Sequence, residues 1–236
     1  MQKFNKEDFF DDRYSLMKKY NLIDSGTEGV GFKVNDNIFA KKFYSPRDFL
    51  VKETQEKLYE LELKNIIAPF DYLEKNGSIC AVFLDFFDGS SVLNDVGEIK
   101  FDVLIESTKN LIEDMRKISD NNIRTNDITR KSIMYNDQKM VLIDTTQYFI
   151  IYHNLEESLK ERLNKNNLRD LFYKTEIFYS KNWDEIIKKD KILRELKFDY
   201  DNYNYFYIEL KRFLEELSEN KVESINDGLS KIKRKK

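Results

Sequence analysis

Apolar and polar positions change period along the chain, and the changes divide it into two unequal parts. Residues 4 to 20 interleave apolar and charged side chains as a short amphipathic helix does. Glycine turns with β-branched and aromatic residues then predict a strand pair over 22 to 34 and a third strand over 37 to 44, closed by Pro46. Leu50, Leu58 and Leu61 recur at helical spacing among Glu and Lys, so a helix with one buried stripe is expected between Asp48 and Leu63. Strands return over Ile66 to Leu73 and Ser78 to Phe86, joined through Lys75-Asn76-Gly77, whose Asn-Gly pair suits a tight hairpin. The small polar run Asp88-Gly89-Ser90-Ser91 marks a boundary, and the pattern beyond it is helical. Phe101, Leu104, Ile105, Thr108, Leu111, Ile112, Met115 and Ile118 trace one face of a long core helix. A second hairpin follows, Ile133-Met134-Tyr135 against Met140 to Ile143, and delivers Asp144 at its end. The rest, from about 150 to 236, reads as mostly helical. The chain is therefore expected to be α+β, with an N-terminal lobe over residues 1–88 (a terminal helix, a five-stranded antiparallel sheet and one main helix) and a mostly helical C-terminal lobe over 89–236.

Composition supports a packed interior. Aromatic residues make up 14% of the 236 positions, so a mean hydropathy of -0.65 reflects a charged surface and not a missing core. Forty basic and 43 acidic residues leave a net charge of -3, too small and too mixed to point to nucleic acid or an acidic membrane. The basic run from Lys231 to Lys236 reads as a solvated tail. Cys80 is the single cysteine, which excludes an intramolecular disulfide and a cysteine zinc cage. With no stretch of signal-peptide or membrane-spanning character, a cytoplasmic protein without membrane insertion is expected. His153 stands alone as a histidine and reads as a surface residue.

The chemistry concentrates in a few places. Three of the seven glycines, Gly26, Gly29 and Gly31, fall within six residues, as in a hairpin that covers a phosphate. On the following strand, alternation puts Ile38, Ala40 and Lys42 on one face, so a small residue and an ammonium point the same way.

This order of elements and motifs resembles the protein kinase fold over about residues 20 to 148. Ile23 to Val34 is similar to the G-x-G-x-x-G-x-V loop, with Gly26 and Gly29 as its second and third glycines, and Phe39-Ala40-Lys41-Lys42 is similar to V-A-I-K. The resemblance implies a nucleotide site in which Lys42 meets the α- and β-phosphates and pairs with Glu53, or with Glu56 one turn on. Leu84 to Ser90 resembles the interlobe hinge, which implies adenine against the backbone of Asp85 and Phe87, beside Leu84, under Ala40 and over Met134. Asn122 to Met134 is similar to the H-R-D-L-x-x-x-N loop. The match implies Asp127 as acceptor of a substrate hydroxyl proton, with Thr125 in the histidine position, Thr129 in a position often held by lysine, and Ser132 where a magnesium-binding asparagine is usual. Leu142-Ile143-Asp144-Thr145-Thr146 occupies the D-F-G position, retaining the aspartate as a metal ligand and losing Phe and Gly. Pro46 and Pro69 are the only prolines, so no A-P-E motif follows Asp144.

The implied function is transfer of the γ-phosphate of ATP, with Mg²⁺ or Mn²⁺ as metal, to a hydroxyl acceptor on a protein or small molecule. The departures around Asp127 and Asp144 keep open a pseudokinase that senses nucleotide or scaffolds a partner. A third reading, an adhesive surface, attaches to Phe198 to Tyr207, where aromatics alternate with Asp and Asn; burial of those rings in the core is its competitor.

Overall fold

The computed structural model describes residues 4–47, 52–92, 96–151, 155–174 and 190–234. Its N-terminal segment is not one helix but two short ones, a 3₁₀ turn over Lys6–Phe10 and α1 over Arg13–Lys19. The break lies at Asp12, whose carboxylate accepts the N–H groups of Tyr14 (2.8 Å) and Ser15 (3.2 Å) and so starts a new helix.

Strands β1 (Asn21–Ser25), β2 (Gly29–Lys33) and β3 (Ile38–Arg47) follow, then α2 (Lys52–Glu60), β4 (Asp71–Lys75) and β5 (Ser78–Asp85). They form one antiparallel sheet in the order β1-β2-β3-β5-β4. The strand expected from Ile66 begins only at Asp71. Pro69 has no N–H to give a ladder, and Ile66 and Ile67 are drawn to the far lobe instead. There Ile67 N–H donates to the Leu142 carbonyl (2.8 Å) and Leu142 N–H to the Asn65 carbonyl (2.7 Å), stitching the lobes together.

The outer face of the sheet is roofed by the N-terminal helices. Phe9, Leu16 and Tyr20 close over Val30, Phe32, Ala40, Leu73, Ala81 and Phe83. Phe9 lies at the centre, 5.3 Å from the ring of Tyr20, 5.2 Å from Phe83 and 6.0 Å from Phe32. Phe9, Phe32 and Phe83 are fully buried and Tyr20 nearly so, and removal of these rings from water stabilises the lobe.

After β6 (Ser90–Ser91), the C-terminal lobe is built on α3 (Phe101–Asp120), which runs two residues past its apolar stripe. Then come β7 (Ile123–Arg124), β8 (Ile133–Tyr135), β9 (Met140–Leu142), β10 (Phe149–Ile150), α4 (Glu157–Arg169), α5 (Lys191–Leu196), α6 (Tyr203–Ser218) and α7 (Ile225–Arg234). β8 and β9 form the expected hairpin, and β6 pairs with β8 to carry the interlobe chain onto this lobe. The aromatic run divides by helical period. Tyr203, Phe206 and Tyr207 are buried in the α3 core, Phe172 stacks 4.8 Å from Tyr203, and Tyr205 is exposed. The rings that sequence reading offered as a surface are therefore divided, with Tyr203, Phe206 and Tyr207 in the interior and Phe198 and Tyr205 on the surface. His153 lies outside the described residues. No helix among the described residues is long and apolar enough to cross a membrane.

Candidate phosphate-binding cleft

The glycine turn joins β1 to β2 and is held by its own backbone. Gly26 N–H donates to the Gly29 carbonyl (3.0 Å), and Tyr44 N–H on β3 donates to the Glu28 carbonyl (3.0 Å). A Cβ on Gly29 would lie 2.2 Å from the Lys42 carbonyl oxygen, so only glycine lets the strands approach there.

Register decides which lysine faces the cleft. Gly31 pairs with Lys41 and Phe32 with Ala40, so Phe39, Lys41 and Phe43 share the inner face with Gly29, Gly31, Val82 and Leu84. Ala40 and Lys42 point to the outer face. Ala40 is sealed beneath the Phe9 cluster, and Lys42 Nζ donates to the Phe9 carbonyl, with burial lowering its pKa. The structure thus differs from expectation at both positions: neither the small residue nor the ammonium of the Ala40-x-Lys42 pair reaches the cleft. The alternation holds, but the N-terminal helices cover the face that carries Ala40 and Lys42.

Lys41 takes the inner position. Its Nζ lies 3.0 Å from each carboxylate oxygen of Asp144 and 3.4 Å from Glu28 Oε2, and so spans sheet, glycine turn and hairpin end. Asp144 is held further by Thr146 Oγ1, which donates to its Oδ1 at 2.7 Å. Gln147 Nε2 donates to Glu28 Oε1 at 3.0 Å. Asp144 and Asp127 both adopt left-handed backbone, φ 66° and 54°, a conformation that Asp tolerates better than most residues and that collects at functional sites.

The main helix of the N-lobe presents a different residue from the one expected. Thr54, Gln55 and Leu58 are its buried positions, while Glu53 is exposed and Glu56 accepts from Tyr72 Oη at 3.2 Å. Gln55 reaches the segment after Asp144: its Nε2 donates to the Thr145 carbonyl (3.0 Å), and Thr145 Oγ1 donates to Gln55 Oε1 (3.3 Å). Glu53 thus lies on the exposed side of α2, while the Lys42 ammonium is directed to the Phe9 carbonyl.

The segment around Asp127 is anchored from below. Asn167 Oδ1 accepts from Thr125 N–H (3.1 Å), Thr125 Oγ1 (3.0 Å) and Arg124 Nη1 (2.8 Å), while Arg124 Nη2 donates to the buried Asp170 (2.7 Å). Thr125 thus does a structural job, and Asp127 stands exposed above it. Ser132 is buried, and its Oγ accepts from Thr129 N–H at 3.2 Å, closing a 3₁₀ turn. Tyr148, fully buried near Asp144 and Asp170, has its pKa raised well above the usual phenol value, chiefly by burial.

At the interlobe strand, Leu84 is buried, Asp85 is exposed, Phe87 lies under the Lys139 ammonium (5.8 Å), and Met134 is half-buried on β8. Phe39 approaches from above: a Cβ on Gly31 would fall 2.5 Å from its ring. An aromatic ring, not Ala40, covers this part of the inner face. Lys41, Glu28, Gln55 and Gln147 are the residues sequence reading missed. The signal for Lys41 was present, since Phe39-x-Lys41 alternates as well as Ala40-x-Lys42.

Sheet order, the single helix between β3 and β4, and the hairpin ending in Asp144 give the chain a two-lobed architecture, an antiparallel sheet with one main helix followed by a largely helical lobe. No protein-family model matches the chain, and no curated protein matches it. Among solved structures it is similar to the PK-1 kinase of Cydia pomonella granulovirus, with 12% identity over 76% of this chain and 78% of that one and a TM-score of 0.49. It is also similar to the twitchin kinase region of C. elegans (18% identity, 58% of this chain and 27% of that one, TM-score 0.43). A C. elegans twitchin kinase fragment with immunoglobulin domains gives 18% identity over 57% of this chain and 34% of that one, with a TM-score of 0.42. The chain therefore spans about a third or less of the twitchin chains it resembles.

Proposed function

We propose that the chain is an ATP-binding, kinase-like phosphotransferase in which Lys41, not Lys42, is the phosphate-facing cation. The observation that carries this reading is the contact of Lys41 with both oxygens of Asp144 (3.0 Å), which sets a cation from the sheet against an acid from the other lobe. Kinase chemistry asks mainly for such positioning and charge neutralisation. Lys41 binds phosphate oxygens, and exposed Asp127 accepts the proton of an acceptor hydroxyl. Asp144 is the residue fit to hold Mg²⁺ or Mn²⁺, since magnesium is commonly bound by one or two carboxylates together with substrate phosphates. Ser132 fits less well, because its hydroxyl already closes the Thr129 turn. The metal would supply neutralisation of phosphate charge. Leu84, Asp85, Phe87 and Met134 line the side where a base would lie, and the lobes divide near residue 88. The partners on this reading are a nucleotide and a hydroxyl acceptor, protein or small molecule; the small net charge favours neither nucleic acid nor membrane. A single buried free cysteine suits a cytoplasmic setting.

Phosphate transfer from ATP to the protein itself or to a generic protein acceptor, followed by mass spectrometry, tests the reading. Wild type is expected to transfer, and Asp144→Asn and Asp127→Asn to lose transfer while keeping their thermal transitions. Unchanged transfer in both variants would overturn it.

A second reading, a pseudokinase that senses nucleotide or scaffolds a partner, is favoured by one specific observation. The Phe39 ring fills the space over Gly31, where a flat base would otherwise have room. Nucleotide binding without transfer to any acceptor would select this reading.

A further inference from the structure

The inner face holds an anion already, and it belongs to the protein. Glu28 sits in the glycine turn, and its carboxylate is shared between two donors from different parts of the chain: Lys41 on the sheet (3.4 Å) and Gln147 beyond Asp144 (3.0 Å). The Lys41 and Glu28 side chains are only 18% and 26% exposed, so their attraction is screened less than that of a surface pair. The Glu28 backbone carbonyl is fixed by Tyr44 N–H, which leaves its side chain to span the gap to the other lobe.

We infer that Lys41 and Gln147 form an anion subsite whose occupant in the free protein is the Glu28 carboxylate, and that a phosphate group enters by displacing it. The inference rests on the phosphate-binding reading above and extends it by adding Gln147 as a donor and Glu28 as a built-in competitor. A phosphate oxygen offers the same two donors the same kind of acceptor with more charge. Release of Glu28 also unties the glycine turn from the C-terminal lobe, so phosphate binding and turn opening are coupled. Glu28 and a phosphate group compete for the same Lys41 and Gln147 donors.

The test uses inorganic tripolyphosphate without metal, which engages neither the Phe39 region nor Asp144 as a metal ligand. Calorimetric titration is expected to show binding about tenfold tighter for Glu28→Gln than for wild type, as losing a competing charge-assisted contact implies. In both backgrounds Lys41→Met is expected to abolish it. Hydrogen exchange on ligand-free protein gives a second, independent readout: the amides of Gly26 and Tyr44 are expected to exchange faster in Glu28→Gln. Lys41-dependent binding that is no tighter in Glu28→Gln would overturn the subsite and leave the proposed function standing. Absence of binding in both proteins would overturn both. Unchanged exchange at Gly26 and Tyr44 would overturn the coupling of Glu28 to the turn, whatever the binding result.

Discussion

Two adjacent lysines on one strand meet opposite surroundings. Lys42 lies on the face roofed by the N-terminal helices, where its ammonium is spent on the carbonyl of Phe9. Lys41, one residue earlier, faces the other lobe and meets Asp144 and Glu28. The outer face is an apolar interior made by packing aromatic rings over small strand residues, whereas the inner face is held by charge and hydrogen bonds between lobes. A strand alternation thus defines two sets of residues, and the rest of the chain decides which set is structural and which is left for chemistry.

The largest effect is expected on the structural face. Phe9 is fully buried at the centre of its cluster, so Phe9→Ala should cost about 3–5 kcal/mol in urea unfolding. Tripolyphosphate binding by the fraction that remains folded should be unchanged. If that variant instead unfolds at the wild-type urea concentration, the N-terminal helices do not seal the outer face as described.

Gln55 probes the boundary between the two regimes. It is buried, and its amide bonds both the carbonyl and the hydroxyl of Thr145, next to Asp144. Gln55→Ala should cost about 2 kcal/mol by leaving buried polar groups of Thr145 unpaired. Gln55→Glu should be worse still, since the carboxylate would face the Thr145 carbonyl. A neutral result for both variants would remove α2 from the account of how the inner face is held.

The smallest effect is a pH slope from Lys42. Burial lowers its pKa below 10.5, so between the folded value and 10.5 the unfolded chain binds more protons than the folded one. Stability from this group therefore rises as pH is raised through that window, having been reduced at neutral pH. Subtracting the stability of Lys42→Met from that of wild type between pH 8 and pH 10 should leave a positive slope. A flat or negative difference would mean that Lys42 is more hydrated than its contact with Phe9 indicates.

How much of this could be read from sequence follows the same division. Strong periodicities were legible: the α3 stripe from Phe101 to Ile118, the β8–β9 hairpin and the glycine turn all lie close to where their patterns placed them. Each is a local decision, fixed by repeat spacing or turn chemistry. The face of β3 was not legible, because Phe39-x-Lys41 and Ala40-x-Lys42 satisfy alternation equally and only tertiary contacts choose between them. The same holds for α2, where Glu53, Gln55 and Glu56 lie within one turn and the inward residue is set by how the helix docks on Thr145. Ile66 and Ile67 looked like strand residues and are used to bridge lobes, because Leu142, 75 positions on from Ile67, provides the partner.

The most direct test compares the two lysines in one experiment. A non-hydrolysable ATP analogue with magnesium is titrated calorimetrically into wild type, Lys41→Met and Lys42→Met, each checked for a native thermal transition. If Lys41 is the phosphate-facing cation, Lys41→Met loses affinity by about tenfold or more, the scale of a charge-assisted contact, while Lys42→Met stays within about twofold of wild type. Loss in Lys42→Met with Lys41→Met unaffected would contradict the assignment of the two faces of β3, and with it the account of the cleft.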